Sequence, residues 1–375
     1  MSAYLDHAAS TPMRPEAIEA MLPFLAENPG NPSGGHTASR ATKTALEEAR
    51  EIVAEVCGAR PSEIVFTGGG SEGDNLAIKG AAWAAPDGID GIVTTGIEHK
   101  AVLGAARRLE RDRYRVTRIG AHLNGVIDLD ALEATLDERT AVVSVMTVNN
   151  ETGVRQPIAK VVELVHAHAP KAVIHTDAVQ APQWLDLRDA TVGVDLVAIS
   201  GHKFGGPKGV GALVVRDGTS LVPLVEGGGH ERDLRAGTQN VAGIVAFATA
   251  LRITDERRAE EVARIGALRD ELAEGLDLNA ADGPRVTGIL HVAFAGLEAE
   301  TLLVALDHAG IYAASGSACS SGAIDPSHVL LAMGMDRERA LSSVRFSLGY
   351  ASTADDIAEA RRVVPDVVAK LRAAS

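Results

Sequence analysis

The sequence predicts an α/β protein, a mostly parallel sheet covered by helices on both faces and followed by a smaller α/β unit. Three observations predict it. From residue 60 to about 215, short β-rich apolar runs alternate with helix-length segments, the alternation that builds βαβ units. The run at 141–147 (Ala-Val-Val-Ser-Val-Met-Thr) is almost continuously apolar instead of alternating, as in a strand buried on both sides. Beyond about residue 250 the texture changes: a charged Ala/Leu/Arg-rich stretch leads into a second, shorter set of strand and helix patterns.

Residues 63–67 read as a strand, followed by a glycine turn and a helix over about 72–84. Residues 92–95 form the next strand and 99–110 the next helix, with Arg107, Arg108, Arg111 and Arg113 near its end, where cations favour the helix dipole. The strand at 141–147 precedes a helix at 157–168 with Pro157 near its start. Runs at 172–176, 196–200 and 211–215 complete the first set, and Glu226-Gly-Gly-Gly-His-Glu231 reads as a loop near the join. Then come an amphipathic helix at 254–275, a strand at 290–294, a helix near 299–309, a strand at 343–347 and a terminal helix from about 353.

The chain has 375 residues, 46% hydrophobic and 23% charged, ample for a globular core of one large or two medium domains. A net charge of −14 argues against a nucleic-acid backbone as partner, which needs a basic footprint. Cys57 and Cys319 are too few for a disulfide framework, so a reducing compartment is expected. With no secretory leader pattern and no run of about 18 apolar residues, the expectation is a cytoplasmic protein without a membrane span.

In open sheets of this kind, ligands bind at the carboxyl ends of the strands. After the strand at 63–67 comes Gly68-Gly-Gly-Ser-Glu-Gly73, with Asp90 farther on. This formally matches a dinucleotide fingerprint, and so an NAD-linked dehydrogenase, but about sixty residues precede the unit, and the turn better supports a simple phosphate cradle at a helix N-terminus. Asp177 ends the strand at 172–176, either capping the turn or meeting a cation that repays its burial. Ser200, His202 and Lys203 follow the strand at 196–200. Lys203 is either a surface cation or an amine held at the ligand edge, where it can form a Schiff base. Ser71, Ser200, His202, Lys203 and Asp177 together supply phosphate donors, a carbonyl-capturing amine and a carboxylate for a pyridinium nitrogen, the fixtures of pyridoxal phosphate (PLP). His166 and His168 diverge on a helix, so no metal site is expected. Cys319 stands among small residues between Gly316 and Gly322, a setting for a reactive thiol more than for a core residue.

These residues carry a family resemblance. Tyr4-Leu-Asp-His-Ala-Ala-Ser-Thr-Pro12, Gly30-Asn-Pro-Ser33, Asp74-Asn-Leu-Ala-Ile-Lys-Gly80, Glu98-His-Lys-Ala-Val102 and Val148-Asn-Asn-Glu151 resemble motifs of NifS/IscS-type cysteine desulfurases. So do Ser200-Gly-His-Lys203, Gly228-Gly-His-Glu231, Gly316-Ser-Ala-Cys319, Pro326-Ser-His-Val-Leu330 and Ser343-Val-Arg-Phe-Ser-Leu-Gly349. The resemblance implies a PLP-dependent transferase of fold type I, in the class V aminotransferase group. It further implies a large PLP-binding domain at 15–255 and a small domain, made of 1–14 and 256–375, that carries the cysteine loop.

By position, the resemblance assigns Lys203 to the PLP carbonyl, His99 to stacking on the ring and to proton transfer, Asp177 to the ring nitrogen and Gln180 to the phenolic oxygen. Ser71, Ser200 and His202 would bind the phosphate, joined by Thr238 from the other subunit of a homodimer. Asn150 and Arg345 would hold the carboxylate of L-cysteine, and Cys319 would take its sulfur as a persulfide, for transfer to an acceptor protein such as an iron–sulfur scaffold or a thiolation enzyme. A class V aminotransferase or a selenocysteine lyase is the alternative. Three places depart from the pattern: Gly68-Gly-Gly-Ser-Glu-Gly73 stands where Ser-Gly-Ala-Thr-Glu-Ser is more usual, with Ser71 keeping a hydroxyl donor; Asp233 replaces a usual glycine, and Tyr350 a common basic residue. Cys57 matches no motif and is expected to be structural.

Overall fold

The computed structural model describes residues 2–316 and 325–374. Cys319 therefore lies outside the described residues.

The chain opens with β1 (Ala3–Tyr4), α1 (Pro15–Ala26) and α2 (Thr37–Val56). The α2 face that carries Leu46, Ala49, Arg50, Val53 and Ala54 is buried, the helical spacing of one apolar stripe. Next come β2 (Ile64–Thr67), α3 (Gly70–Ala84), β3 (Gly91–Thr95), α4 (Lys100–Arg111), β4 (Arg115–Ile119), α5 (Leu129–Thr135) and β5 (Thr140–Ser144). They are followed by α6 (Ile158–His168), β6 (Val173–Asp177), α7 (Leu187–Ala190), β7 (Leu196–Ser200) and β8 (Gly211–Val215). These strands form one seven-stranded sheet in the order β2-β8-β7-β6-β5-β3-β4.

Five of its strands, β3 to β7, run parallel, while β8 runs antiparallel to both neighbours, β2 and β7. The reason is covalent. A parallel return needs a crossover of a dozen or more residues, and the turn between Ser200 and Gly211 is shorter than that. The near-continuous apolar runs follow from burial on both sides. Val65, Leu196 and Ala198 pack with α3 and α4 on one face, and Ile64, Phe66, Val197 and Ile199 pack into the larger cluster on the other.

α8 (Val241–Ala273) begins well before the expected start at 254, because the Asn240 side chain caps it by accepting from the Gly243 N–H at 3.1 Å. Beyond it lie β9 (Asp277–Leu278), β10 (Ile289–Ala293), α9 (Ala299–His308), β11 (Ile311–Tyr312), α10 (His328–Ala332), α11 (Arg337–Leu341), β12 (Ser343–Ser347) and α12 (Ala354–Ala374). β12, β10 and β9 form an antiparallel sheet, and β1 pairs in parallel with β11. That last pairing brings the segment after Tyr4 over the carboxyl ends of the central strands. No helix among the described residues is long and apolar enough to cross a membrane.

Candidate active site

A cavity of about 680 Å³ opens at the carboxyl ends of β6 and β7 and at the N-terminus of α3. The sheet places its functional groups there directly. Asp177 is the last residue of β6, Ser200 is the last of β7, and Lys203 closes the 3₁₀ turn that follows. Gly68, Gly69, Gly70 and Ser71 form the opposite wall, and His99 is the N-cap of α4.

The glycine turn is tight for steric reasons. Gly69 has φ +138°, and a Cβ on Gly70 would lie 2.6 Å from Val179 Cγ2. No side chain caps Gly69, so the first amides of α3 are free to meet an anion at the cavity wall. Asp90, by contrast, precedes β3 at the amino end of its strand and is held in surface ion pairs by Arg115 and Arg139 at 3.0 and 2.8 Å. It cannot serve a nucleotide ribose in this cavity, and the dinucleotide alternative is set aside.

The Lys203 ammonium donates to the Ala8 and Ala9 carbonyls at 2.7 and 3.0 Å. Burial, and then the positive Arg345, bring its pKa down to about 8. Burial pushes the Asp177 carboxyl up, against the pull of His99, the Val179 N–H (2.9 Å) and Lys203. Burial likewise depresses His99, whose Nδ1 accepts from the Ala101 N–H at 3.2 Å. It also brings His202 down to about 4, with Lys203 adding to the effect. Gln180 is anchored by donating to the Ala8 carbonyl at 2.8 Å.

Arg345, on β12, crosses from the C-terminal sheet to the same cavity. It donates to the Asn150 carbonyl at 2.8 Å and to Asp6 Oδ1 at 2.7 Å, while its buried Nε has no partner among the described residues.

Ser71, His99, Asn150, Asp177, Gln180, Ser200, His202, Lys203 and Arg345 thus line one cavity. Thr238 does not; it is exposed on its own chain, away from the cavity lining. Cys57 is buried and its thiol is pushed up to about 12 by burial, an inert core residue. Sequence reasoning missed Asp6 and the Ala8 and Ala9 carbonyls. Tyr4–Pro12 was legible as a motif, but only the β1–β11 pairing shows what it touches. It also missed the buried polar groups behind Asp177, which include Asp74, Glu98 and His175.

The donor set fits pyridoxal phosphate. Free amides and hydroxyls suit a phosphate, an amine with a pKa brought down to about 8 suits a carbonyl, a buried carboxylate suits a protonated ring nitrogen, and a guanidinium at the cavity wall suits a carboxylate.

Fold and site together define a class V aminotransferase, and the chain belongs to that family, which matches residues 3–359 under the description "Aminotransferase class-V". Within it, the relatives are cysteine desulfurases of the IscS/NifS kind. The chain is 45% identical to the IscS-like cysteine desulfurase of Mycobacterium tuberculosis, covering 100% of this chain and 98% of that one. Among solved structures it resembles a NifS-like protein with a TM-score of 0.92, at 34% identity over 99% and 100% of the two chains. It also resembles SspA solved in complex with cysteine, with a TM-score of 0.80, at 32% identity over 94% and 100%.

Proposed function

We propose that the protein is a PLP-dependent cysteine desulfurase that converts L-cysteine to L-alanine and passes the sulfur, through a persulfide on Cys319, to an acceptor protein. One observation carries this: Asp177 at the end of β6, Lys203 in the turn after β7 and Arg345 within β12 face a single cavity.

When bound, PLP supplies an electron sink conjugated to the amino group of the substrate. The chain's residues do the rest. The α3 amides, Ser71, Ser200 and His202 hold the phosphate, with Thr238 reaching in from the second subunit of a homodimer. Asp177 holds the ring nitrogen protonated, Gln180 faces the phenolic oxygen, and His99 stacks on the ring and assists proton transfer. Asn150 and Arg345 orient the cysteine carboxylate. With a pKa of about 8, the Lys203 amine is in part neutral near pH 7 and can take the Cα proton. The Cys319 thiolate attacks the substrate sulfur, so an S–S bond forms, the C–S bond breaks, and its electron pair stays with the carbon skeleton, which leaves as alanine after protonation.

The large domain of this enzyme is 15–255, and 1–14 with 256–375 form the small one. A persulfide-forming thiol suits a reducing compartment, here the cytoplasm. Reconstitution with PLP followed by assay of alanine and sulfide tests the proposal. Wild type makes both from L-cysteine, Lys203→Ala makes neither, and a wild type that binds no PLP overturns the function.

A further inference from the structure

Behind the cavity lies a buried polar chain that the proposed chemistry does not use. Asp74 on α3, 1% exposed, and His175 on β6, also 1% exposed, face each other with Oδ1 and Nε2 3.5 Å apart. Neither atom has a hydrogen-bond partner among the described residues. The other His175 nitrogen, Nδ1, lies 2.9 Å from Ser144 Oγ. Two unmet atoms this close, both buried, call for a proton between them. Asp74, His99 and Asp177 also cluster, each offering one nitrogen or oxygen atom within 4.8 Å of the others.

The charges facing this pair come from every element packed on it. α3 gives Asp74, β6 gives His175 and Asp177, the turn into α4 gives Glu98 and His99, and the turn after β7 gives Lys203. Two carboxylates in a buried site cannot both hold their charge cheaply, so the pair retains one proton. Burial, then the charges of Asp177 and Glu98, push Asp74 well up. Asp177 feels opposing pulls from His99 and Lys203, and Asp74 feels none. Burial alone brings His175 down to about 3, so its ring is neutral, with the Nε2 lone pair available once Nδ1–H donates to Ser144.

We propose that Asp74 is a positioning residue. It carries the proton of the Asp74–Asp177 pair and donates it to His175 Nε2, which leaves Asp177 as the ionised carboxylate that faces the PLP ring nitrogen. One proton placed this way satisfies both orphaned atoms. The proposal rests on the assignment of Asp177 to that nitrogen.

Infrared spectroscopy of the full chain, labelled with carboxyl-¹³C aspartate and without added PLP, tests the proton's location at neutral pH. The label restricts the reading to aspartates, so protonated Glu98 does not interfere. A label-shifted band of a protonated carboxylic acid is expected in wild type and in Asp177→Asn, and its loss in Asp74→Asn. PLP titration is the second arm. Asp74→Asn, a neutral isostere that still donates to His175, keeps the PLP dissociation constant close to wild type. Asp74→Ala hands the proton to Asp177 and weakens binding by about tenfold, one pKa unit of differential interaction. A purely structural Asp74 would lower thermal stability in both variants and leave the band and the Asn–Ala difference unmoved. Persistence of the band in Asp74→Asn, or wild-type PLP affinity in Asp74→Ala, overturns the proposal. If wild type itself fails to bind PLP, the proposed function falls, and the infrared comparison alone still decides where the proton sits.

Discussion

Arg345 and Asp6 meet at 2.7 Å in the wall of the cavity, joining the last strand of the C-terminal sheet to the start of the chain. The contact, with the Asn150 carbonyl at 2.8 Å, fixes the guanidinium plane before substrate arrives. Lysine would keep the charge and lose the planar fork. Arg345→Lys is expected to lower kcat/KM for L-cysteine by about 10- to 100-fold, matching about 1.5–3 kcal/mol for hydrogen bonds to a charged group. PLP affinity should not change. Steady-state kinetics beside a PLP titration checks both.

The Lys203 amine gives a pH signature. Its folded pKa, about 8, lies below the unfolded value, so the amine is charged below pH 8 and neutral above it. Capture of added PLP by cofactor-free protein therefore speeds up as pH rises through about 8 and then levels off, read by stopped-flow absorbance. Arg345→Gln removes a positive neighbour and should move that midpoint upward. Because the unfolded chain holds this proton to higher pH, the contribution of Lys203 to stability rises with pH from about 8 to about 10.

Away from the cavity, Glu231 closes a buried ion pair with Arg50 at 2.8 Å and accepts from the Phe66 N–H at 2.9 Å. Glu231→Gln removes the buried partner of Arg50 and leaves it only the half-exposed Glu47 at 3.1 Å, with an expected loss of about 3 kcal/mol, the low end for breaking a buried pair. Denaturant unfolding of the two proteins measures it.

Asp233 has φ +62°, directly after Glu231 and Arg232, which are also left-handed. Glycine adopts that conformation freely, which gives a physical reason for the usual residue at this position. Asp233→Gly should stabilise the protein by about 0.5–1 kcal/mol, the left-handed strain relieved less the added chain entropy. Thermal unfolding reads the shift.

Most of the central sheet was legible, because strands buried on both faces announce themselves as apolar runs. β4 was not. Three of its five residues are exposed, Arg115 and Arg118 among them, as suits an edge strand. The polarity of β8 was hidden because strand direction is set by the connector and not by the strand. The expected strand at 141–147 stops at Ser144, and Val145 to Thr147 continue buried on hydrogen bonds to the His175 and Asp177 carbonyls. In the cavity, Lys203, Asp177 and Ser71 were legible from their places after strands. Asp6 and Asp74 were not, since nothing local distinguishes an acid that meets a partner hundreds of residues away, or one buried on a helix, from a solvated one.

In the proposed reaction the sulfur of L-cysteine passes to Cys319. A single turnover with sulfur-labelled L-cysteine, followed by peptide mass spectrometry without reductant, tests it most directly. The expected result is one labelled sulfur on the Cys319 peptide per alanine formed, none on Cys57 and none in Lys203→Ala. Alanine formed without label on Cys319, with Cys319→Ala releasing sulfide at the wild-type rate, would contradict it.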